Sequence, residues 1–239
     1  MLRKIDHTNM GGSNLGWLQS LFHFSFADYF NPKNLKFGKL RVINDDLVQP
    51  GTGFPTHPHR DMEIVTYVID GELTHADSMG NERVLSRGDV QFMTAGTGIT
   101  HSEYNRGEDI LRFLQIWIMP ERSMLTPNYG DHHFDAADRK NRWQHIVSPA
   151  DGDAPIRIRQ DANIHVMELD AGGTAEFPVN QGRQAYLVQI EGRADVSGEE
   201  LSTRDALESV EEDLKITAHE DSHVLVIELK IQEPVKKVS

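Results

Sequence analysis

The stretch that decides the fold reads Gly53-Phe-Pro-Thr-His57-Pro-His59-Arg-Asp-Met-Glu63, and a second stretch reads Gly96-Thr-Gly98-Ile-Thr-His101-Ser-Glu103-Tyr-Asn105. Each stretch places two potential metal ligands at positions i and i+2. On a β-strand, residues two apart point to the same face of the sheet. If both stretches are strands of one barrel, three imidazoles and one carboxylate converge on its interior. Such a ligand set suits a first-row transition metal.

Short apolar-alternating runs joined by turn residues extend outward from these two stretches. Residues 62–69 are rich in β-branched and aromatic side chains, which favour a strand. Residues 39–44 predict another strand, which we expect to end at Asp45-Asp46, and residues 111–119 predict a long one. Short strands with turn signals at this spacing are typical of a barrel or sandwich, so we predict an all-β fold.

The second half of the chain repeats this organisation. Ile190-Glu-Gly192 resembles Ile69-Asp-Gly71, with a predicted strand before and after it, which suggests an internal duplication. The second copy contains neither a His-x-His nor a His-x-Glu pair. We therefore predict the following division: an N-terminal metal-binding barrel at 1–130, a connector at 131–142, a C-terminal barrel without metal ligands at 143–232, and a tail at 233–239.

Composition narrows the classes of site and partner. The chain has no cysteine, which excludes disulfides, thiolate zinc sites and a thiol nucleophile. The start of the chain lacks the apolar stretch of a signal peptide, and no run approaches the ~18 apolar residues of a membrane span. We therefore expect a cytoplasmic protein that does not bind membranes. A formal net charge of −13 repels nucleic-acid backbones, so we expect no direct nucleic-acid contact and leave a protein partner open.

The two stretches also resemble the motifs of a known family. Gly53-x-x-x-His57-x-His59-x-x-x-Glu63 resembles the first cupin motif, and Gly88 leading to His101-x-x-x-Asn105 resembles the second. Residues 54–67 and 93–103, together with 23–26 and 41–45, are similar to the bacterial pirin-like bicupins of the pirin family. The resemblance is specific over the N-terminal half and rests on layout in the C-terminal half. It implies two cupin (double-stranded β-helix, jelly-roll) barrels in one chain.

The resemblance also implies a ligand set. Carried over residue by residue, the metal ligands of the pirin family fall on His57, His59, His101 and Glu103. Glu63 is the rival, because the general cupin motif uses its glutamate there and strand parity does not separate the two. The pirin pattern favours Glu103 and leaves Glu63 as a neighbouring hydrogen-bond acceptor. We expect one divalent transition metal, with Fe(II) favoured over Zn, Mn, Ni, Co or Cu.

The implied activity is that of the pirin-like quercetin 2,3-dioxygenases. Such an enzyme would use dioxygen to cleave the heterocyclic ring of a flavonol such as quercetin, with release of carbon monoxide. Glu103 would be the catalytic general base toward the flavonol 3-hydroxyl. Two alternatives stay open: a pirin-like metal-binding regulatory protein acting through protein partners, and a different cupin enzyme such as an isomerase or decarboxylase.

Further side chains near the two stretches are weaker candidates. Phe54, Met93, Ile99 and Phe113 are expected as apolar walls of the substrate cavity, although Phe113 fits an ordinary core position better. His75 lacks a partner at ligand spacing, so we expect it at most to support the ligands.

Overall fold

The computed structural model describes residues 1–232, and the predicted tail at 233–239 lies outside the described residues. Helical segments within residues 1–232 are limited to two short 3-10 turns, His7–Asn9 and Ala136–Asp138. Neither they nor any other described segment forms a helix long and apolar enough to cross a membrane.

The strands of the first half are β1 (Leu2–Ile5), β2 (Gly11–Asn14), β3 (Leu18–Phe22), β4 (Leu40–Val48), β5 (Gly53–His59), β6 (Glu63–Asp70), β7 (Leu73–Asp77), β8 (Glu82–Leu85), β9 (Val90–Thr94), β10 (Ile99–Tyr104), β11 (Leu111–Ile118) and β12 (Asn128–His132). Those of the second half are β13 (Gln144–Pro149), β14 (Ile156–Ile158), β15 (Ala162–Leu169), β16 (Thr174–Phe177), β17 (Arg183–Glu191), β18 (Arg193–Val196), β19 (Glu199–Ser202), β20 (Ala206–Val210), β21 (Leu214–Ala218) and β22 (Ser222–Lys230).

These strands form two barrels of the same layout, each made of a seven-stranded and a four-stranded sheet. The first barrel has the strand orders β12-β9-β6-β11-β4-β3-β2 and β5-β10-β7-β8. The second has the orders β1-β20-β17-β22-β15-β13-β14 and β16-β21-β18-β19. The prediction of an all-β chain with two cupin barrels is therefore confirmed. We call the sheet β5-β10-β7-β8 the site sheet.

The ends of the first barrel differ from the predicted limits of 1–130. Strand β1 joins the second barrel, where Leu2 pairs with Ser209 and Arg3 donates two hydrogen bonds, of 2.7 and 2.6 Å, to the Glu208 carboxylate. Strand β12 continues to His132 and pairs with β9 of the first barrel. The open edge of β20 needs hydrogen-bond partners, and β1 supplies them from a distant part of the chain. Local sequence patterns do not encode such a long-range pairing.

The prediction that a strand ends at Asp45-Asp46 was wrong, because β4 continues to Val48. Asp45 points toward the second barrel, where its carboxylate lies 2.7 Å from Arg112 Nη2 and 3.0 Å from Arg204 Nε. Asp46 points the other way and lines the interior of the first barrel. Aspartate is disfavoured in strands in general. Here the two arginines compensate the buried charge of Asp45, and the Asp46 carboxylate lines a cavity inside the first barrel.

The largest apolar core lies between the barrels, where the two seven-stranded sheets pack face to face. Val65, Tyr67 and Ile69 of β6 contribute to it from the first barrel, with Tyr186 and Ile190 from the second. The two barrels therefore share one core, which holds the seven-stranded sheet of the first barrel in position.

The interiors of the two barrels differ. Along β6 of the first barrel, Thr66 separates Ile64 and Val68, which belong to two distinct apolar clusters. Four polar side chains occupy this level in register across β9, β6, β11 and β4: Gln91, Thr66, Gln115 and Asn44. We call these four residues the polar layer. The matching row of the second barrel carries Leu207, Leu187 and Val226 within one continuous apolar cluster, with His165 at the fourth position. This interior is mostly apolar and has no His-x-His or His-x-Glu pair.

Candidate metal centre

The site sheet brings the predicted ligands together. Strand β5 carries His57 and His59, and its neighbour β10 carries His101 and Glu103. His101 lies directly opposite His57, whereas Glu103 lies opposite His75 of β7, the strand on the other side of β10. A β-bulge between His101 and Glu103 shifts the pairing with β5 by one residue. Bulges of this kind re-aim side chains beside functional sites.

Three imidazoles form a compact group. The Nε2 atoms of His59 and His101 are 3.0 Å apart, and the ring centroids of His57 and His101 are 4.4 Å apart. The ligand nitrogens of all three histidines lie within 4.8 Å of one another. His57 Nδ1 is 2.8 Å from the Pro55 carbonyl oxygen, so its proton is held there and Nε2 is left free to bind a metal. This geometry fits a single transition-metal ion.

The protonation states also favour a metal. Burial lowers the pKa of His59 to about 4, with a smaller contribution from His57. Burial lowers the pKa of His101 still further, and the neighbouring His57, His59 and His75 add to the effect. The imidazoles of His59 and His101 are therefore neutral at neutral pH, which is the form that coordinates metals.

Glu103 is buried below the histidines and anchored by the polar layer. Its carboxylate accepts hydrogen bonds of 2.9 Å from Gln91 Nε2, 2.8 Å from Gln115 Nε2 and 3.3 Å from Thr66 Oγ1. Burial, with a smaller contribution from the nearby charge of Asp46, raises the pKa of Glu103 to about 7. Three donors that converge on one carboxylate fix its position and leave its remaining lone pairs for a metal or a proton.

Glu103 and the three histidines do not form one equidistant group. The Glu103 oxygen lies within 4.8 Å of the ligand nitrogens of His75 and His101, which makes a second set that shares His101 with the first. His75 is fully buried, its ring stacks on Tyr129 at a centroid distance of 4.7 Å, and its Nε2 lies 3.2 Å from Asp77 Oδ2. The structure therefore places His75 closer to the candidate ligands than its spacing in the sequence indicates.

The rival glutamate, Glu63, lies on β6 of the seven-stranded sheet, outside the site sheet, and its side chain faces the second barrel. Strands β5 and β6 are separated by a turn in which Asp61 has a φ of 48°, so the parity of the first stretch does not continue through it. The Glu63 carboxylate accepts hydrogen bonds of 2.9 Å from Thr94 Oγ1 and 3.2 Å from the Arg159 backbone N–H of the second barrel. Glu63 therefore connects the barrels, and its hydrogen-bond donors are not the histidines.

A cavity of about 330 Å³ opens onto this group. His57, His59 and Glu103 form its polar end, and its walls include Phe22, Phe54 and Trp117. Of the four wall residues predicted from the sequence, Phe54 lines the cavity; Met93, Ile99 and Phe113 pack in the apolar clusters. The sequence reasoning missed the polar layer, for which the available signal is the recurrence of polar residues at inward positions of otherwise apolar strands.

Comparisons with known proteins identify the family. Residues 4–118 match the model of the Pirin family, and residues 145–229 match the model of the quercetinase C-terminal cupin domain. The chain is 41% identical over 230 residues to a pirin-like protein of Caulobacter vibrioides, covering 95% of this chain and 99% of that protein. It is also 41% identical over 230 residues to quercetin 2,3-dioxygenase of Escherichia coli K12, with coverages of 95% and 97%.

A solved structure extends the likeness to three dimensions. The bacterial pirin YhhW of Escherichia coli, in complex with nickel(II), superposes with a TM-score of 0.91 at 38% identity and covers 97% of this chain and 100% of that one. The two-barrel fold is thus shared with this solved structure over nearly the whole chain. The chain belongs to the pirin family.

Proposed function

We propose that the protein is a metal-dependent dioxygenase that cleaves the heterocyclic ring of flavonols and releases carbon monoxide. The observation that carries this proposal is the group of three imidazoles at the end of an apolar-walled cavity, with the Glu103 carboxylate on the next strand. The names of the relatives support it, since the relative from Escherichia coli K12 is called a quercetin 2,3-dioxygenase.

The metal would be one divalent ion held by His57, His59, His101 and Glu103, with Fe(II) favoured. The complex of YhhW with nickel(II) supports the binding of a divalent ion. When bound, such an ion supplies the Lewis-acid and redox chemistry that the reaction of a flavonol with dioxygen requires. The His75 ring, which shares the site with His101 and Glu103, would fix the orientation of this end of the sheet.

The protein's own contribution is to bind, orient and deprotonate the substrate. The aromatic walls at Phe22, Phe54 and Trp117 take up planar rings and exclude water from the reacting end. Glu103 faces the same cavity, so its carboxylate is placed to take the flavonol 3-hydroxyl proton. Gln91 and Gln115 hold the carboxylate in place during this transfer.

The test is anaerobic metal loading of the purified protein, followed by addition of quercetin and then oxygen. We expect loss of the flavonol absorbance together with carbon monoxide, and neither from metal-free protein or from a His59→Ala variant. Tight metal binding without turnover of any flavonol would contradict the proposal and favour a regulatory role.

A further inference from the structure

Two acceptor groups on the cavity wall take no part in the ligand set. Asn44 and Asp46 lie two residues apart on β4, so both side chains point into the first barrel, and both line the site cavity. They belong to the seven-stranded sheet, whereas the candidate ligands belong to the site sheet. The cavity therefore has metal-binding groups on one sheet and a pair of polar groups on the other.

Both groups are buried, and each has one oxygen that lacks a hydrogen-bond partner, although the Asp46 carboxylate also accepts a hydrogen bond from Ser20. Asn44 is 5% exposed and Asp46 is 4% exposed, and neither the Asn44 Oδ1 nor the Asp46 Oδ1 atom has a partner among the described residues. Buried acceptors of this kind are rare in folded proteins, because losing water without gaining a donor is unfavourable. Two of them on one cavity wall indicate that a ligand supplies the donors.

The fold itself does not require a carboxylate at the Asp46 position, although the counterpart of Asn44 in the second barrel, His165, is also polar. Asp46 pairs with Phe113 of β11, and the corresponding position of the second barrel, on β15, is Met167 inside an apolar cluster. Asp45, between the two acceptors, faces the other way and is fully compensated by Arg112 and Arg204. Unpaired polarity on β4 is thus confined to the side that faces the cavity.

We propose that Asn44 and Asp46 form a hydroxyl-binding subsite that selects polyhydroxylated aromatic substrates. Amide and carboxylate oxygens accept hydrogen bonds, so the complementary ligand groups are O–H donors. The aromatic walls, including Phe22 next to Asn44 in the sheet, fit the planar ring that carries these hydroxyls. This inference rests on the proposed flavonol chemistry and specifies which flavonols the site prefers.

The test compares two flavonols that differ in ring hydroxyls. Quercetin and 3-hydroxyflavone share the 3-hydroxyl and 4-carbonyl pair, but only quercetin carries further hydroxyls on its rings. Dissociation constants are measured without oxygen on metal-loaded wild-type protein and on the Asp46→Ala, Asp46→Asn and Asn44→Ala variants. Turnover is then measured with oxygen. Asp151→Asn, an equal change at an exposed position of the second half, is the control.

We expect the wild type to prefer quercetin by at least about tenfold, which is the size of an effect that one well-placed hydrogen bond produces. Asp46→Ala and Asn44→Ala should each reduce this preference by about tenfold without changing affinity for 3-hydroxyflavone, and Asp46→Asn should reduce it less because it keeps an acceptor oxygen. Metal content should equal that of the wild type in all four variants.

Two results would overturn the subsite, and they are distinguishable. If the wild type converts a flavonol but the preference is unchanged in the Asn44 and Asp46 variants, the subsite is wrong while the proposed function stands. If the loaded wild type neither binds nor converts either flavonol, both proposals fail together. Should Asp46→Ala not fold, Asp46→Asn and Asn44→Ala give the same decision.

Discussion

Replacing Glu103 by glutamine should make the metal-free protein more stable than the metal-free wild type above neutral pH, and this advantage should disappear in acid. Burial holds the pKa of Glu103 at about 7, compared with 4.5 for a free glutamate side chain. The folded state therefore keeps its proton over a range of pH in which the unfolded chain releases it. Stability is fully present below the unfolded value and falls as pH rises through the folded value.

The size of this effect follows from the shift. A displacement of this extent corresponds to roughly 3 kcal/mol of lost stability above neutral pH. The Glu103→Gln variant carries no ionisable group here and keeps an acceptor for one of the two amides of Gln91 and Gln115. At pH 8 the metal-free variant should therefore be more stable than the metal-free wild type by roughly 3 kcal/mol, and near pH 4.5 this difference should vanish.

The assay is urea denaturation across this pH range, after chelator treatment and again with excess divalent metal. A metal at about 100 times its dissociation constant should stabilise the wild type by about 2.7 kcal/mol and the variant by much less. Equal pH dependence in the two metal-free proteins would refute the argument that Glu103 is destabilised by burial. Equal stabilisation by metal would refute its role as a ligand.

Three further predictions follow from the same geometry. Glu63→Ala should retain wild-type metal content, whereas Glu103→Ala should lose its metal. Glu63→Ala should also lower the free energy of unfolding by about 2–4 kcal/mol, because Thr94 and the Arg159 N–H lose their acceptor. Metal analysis and denaturation check both, and loss of metal from the Glu63 variant would reverse our ligand assignment. Tyr67→Phe should lower stability by about 1–2 kcal/mol with metal content unchanged, since His223 Nε2, 2.9 Å from the Tyr67 hydroxyl, loses its buried partner between the barrels. Acid-induced metal release should occur well below pH 6, because burial lowers the pKa of His59 to about 4 and protons then compete weakly for the imidazole. The measurement is the metal content after dialysis at stepped pH. Loss of half the metal near the ordinary histidine pKa of about 6.5 would contradict this prediction.

The local features of the fold were predictable from the sequence, and the long-range ones were not. Alternating apolar residues and tight turns predict the strands on both sides of His57 and His101, since the two-residue period of a strand is written in the local sequence. The pairing of β1 with β20 depends on which sheet edge is open in the folded chain. The length of β4 was misjudged because the compensation of Asp45 comes from Arg112 and Arg204, both far away in the sequence.

The same division holds for the candidate site. Residues at i and i+2 on a regular strand share a face, so His57 and His59 could be paired from spacing alone, whereas the bulge between His101 and Glu103 could not be predicted in this way. The position of Glu63 could not be, because it depends on the turn at Asp61 that separates β5 from β6. Likewise, the donors that hold Glu103 come from strands of the opposite sheet, whose register only the folded barrel defines.

The most direct test of the central claim is the yield of carbon monoxide as a function of metal occupancy. Samples of the protein loaded to different metal contents are given quercetin and oxygen, and carbon monoxide is measured against flavonol consumed. We predict about one molecule of carbon monoxide per flavonol consumed. The rate should be proportional to bound metal, and the His101→Ala variant should produce no carbon monoxide. Flavonol loss without carbon monoxide, or at a rate independent of bound metal, would contradict the assignment of this site as a flavonol dioxygenase.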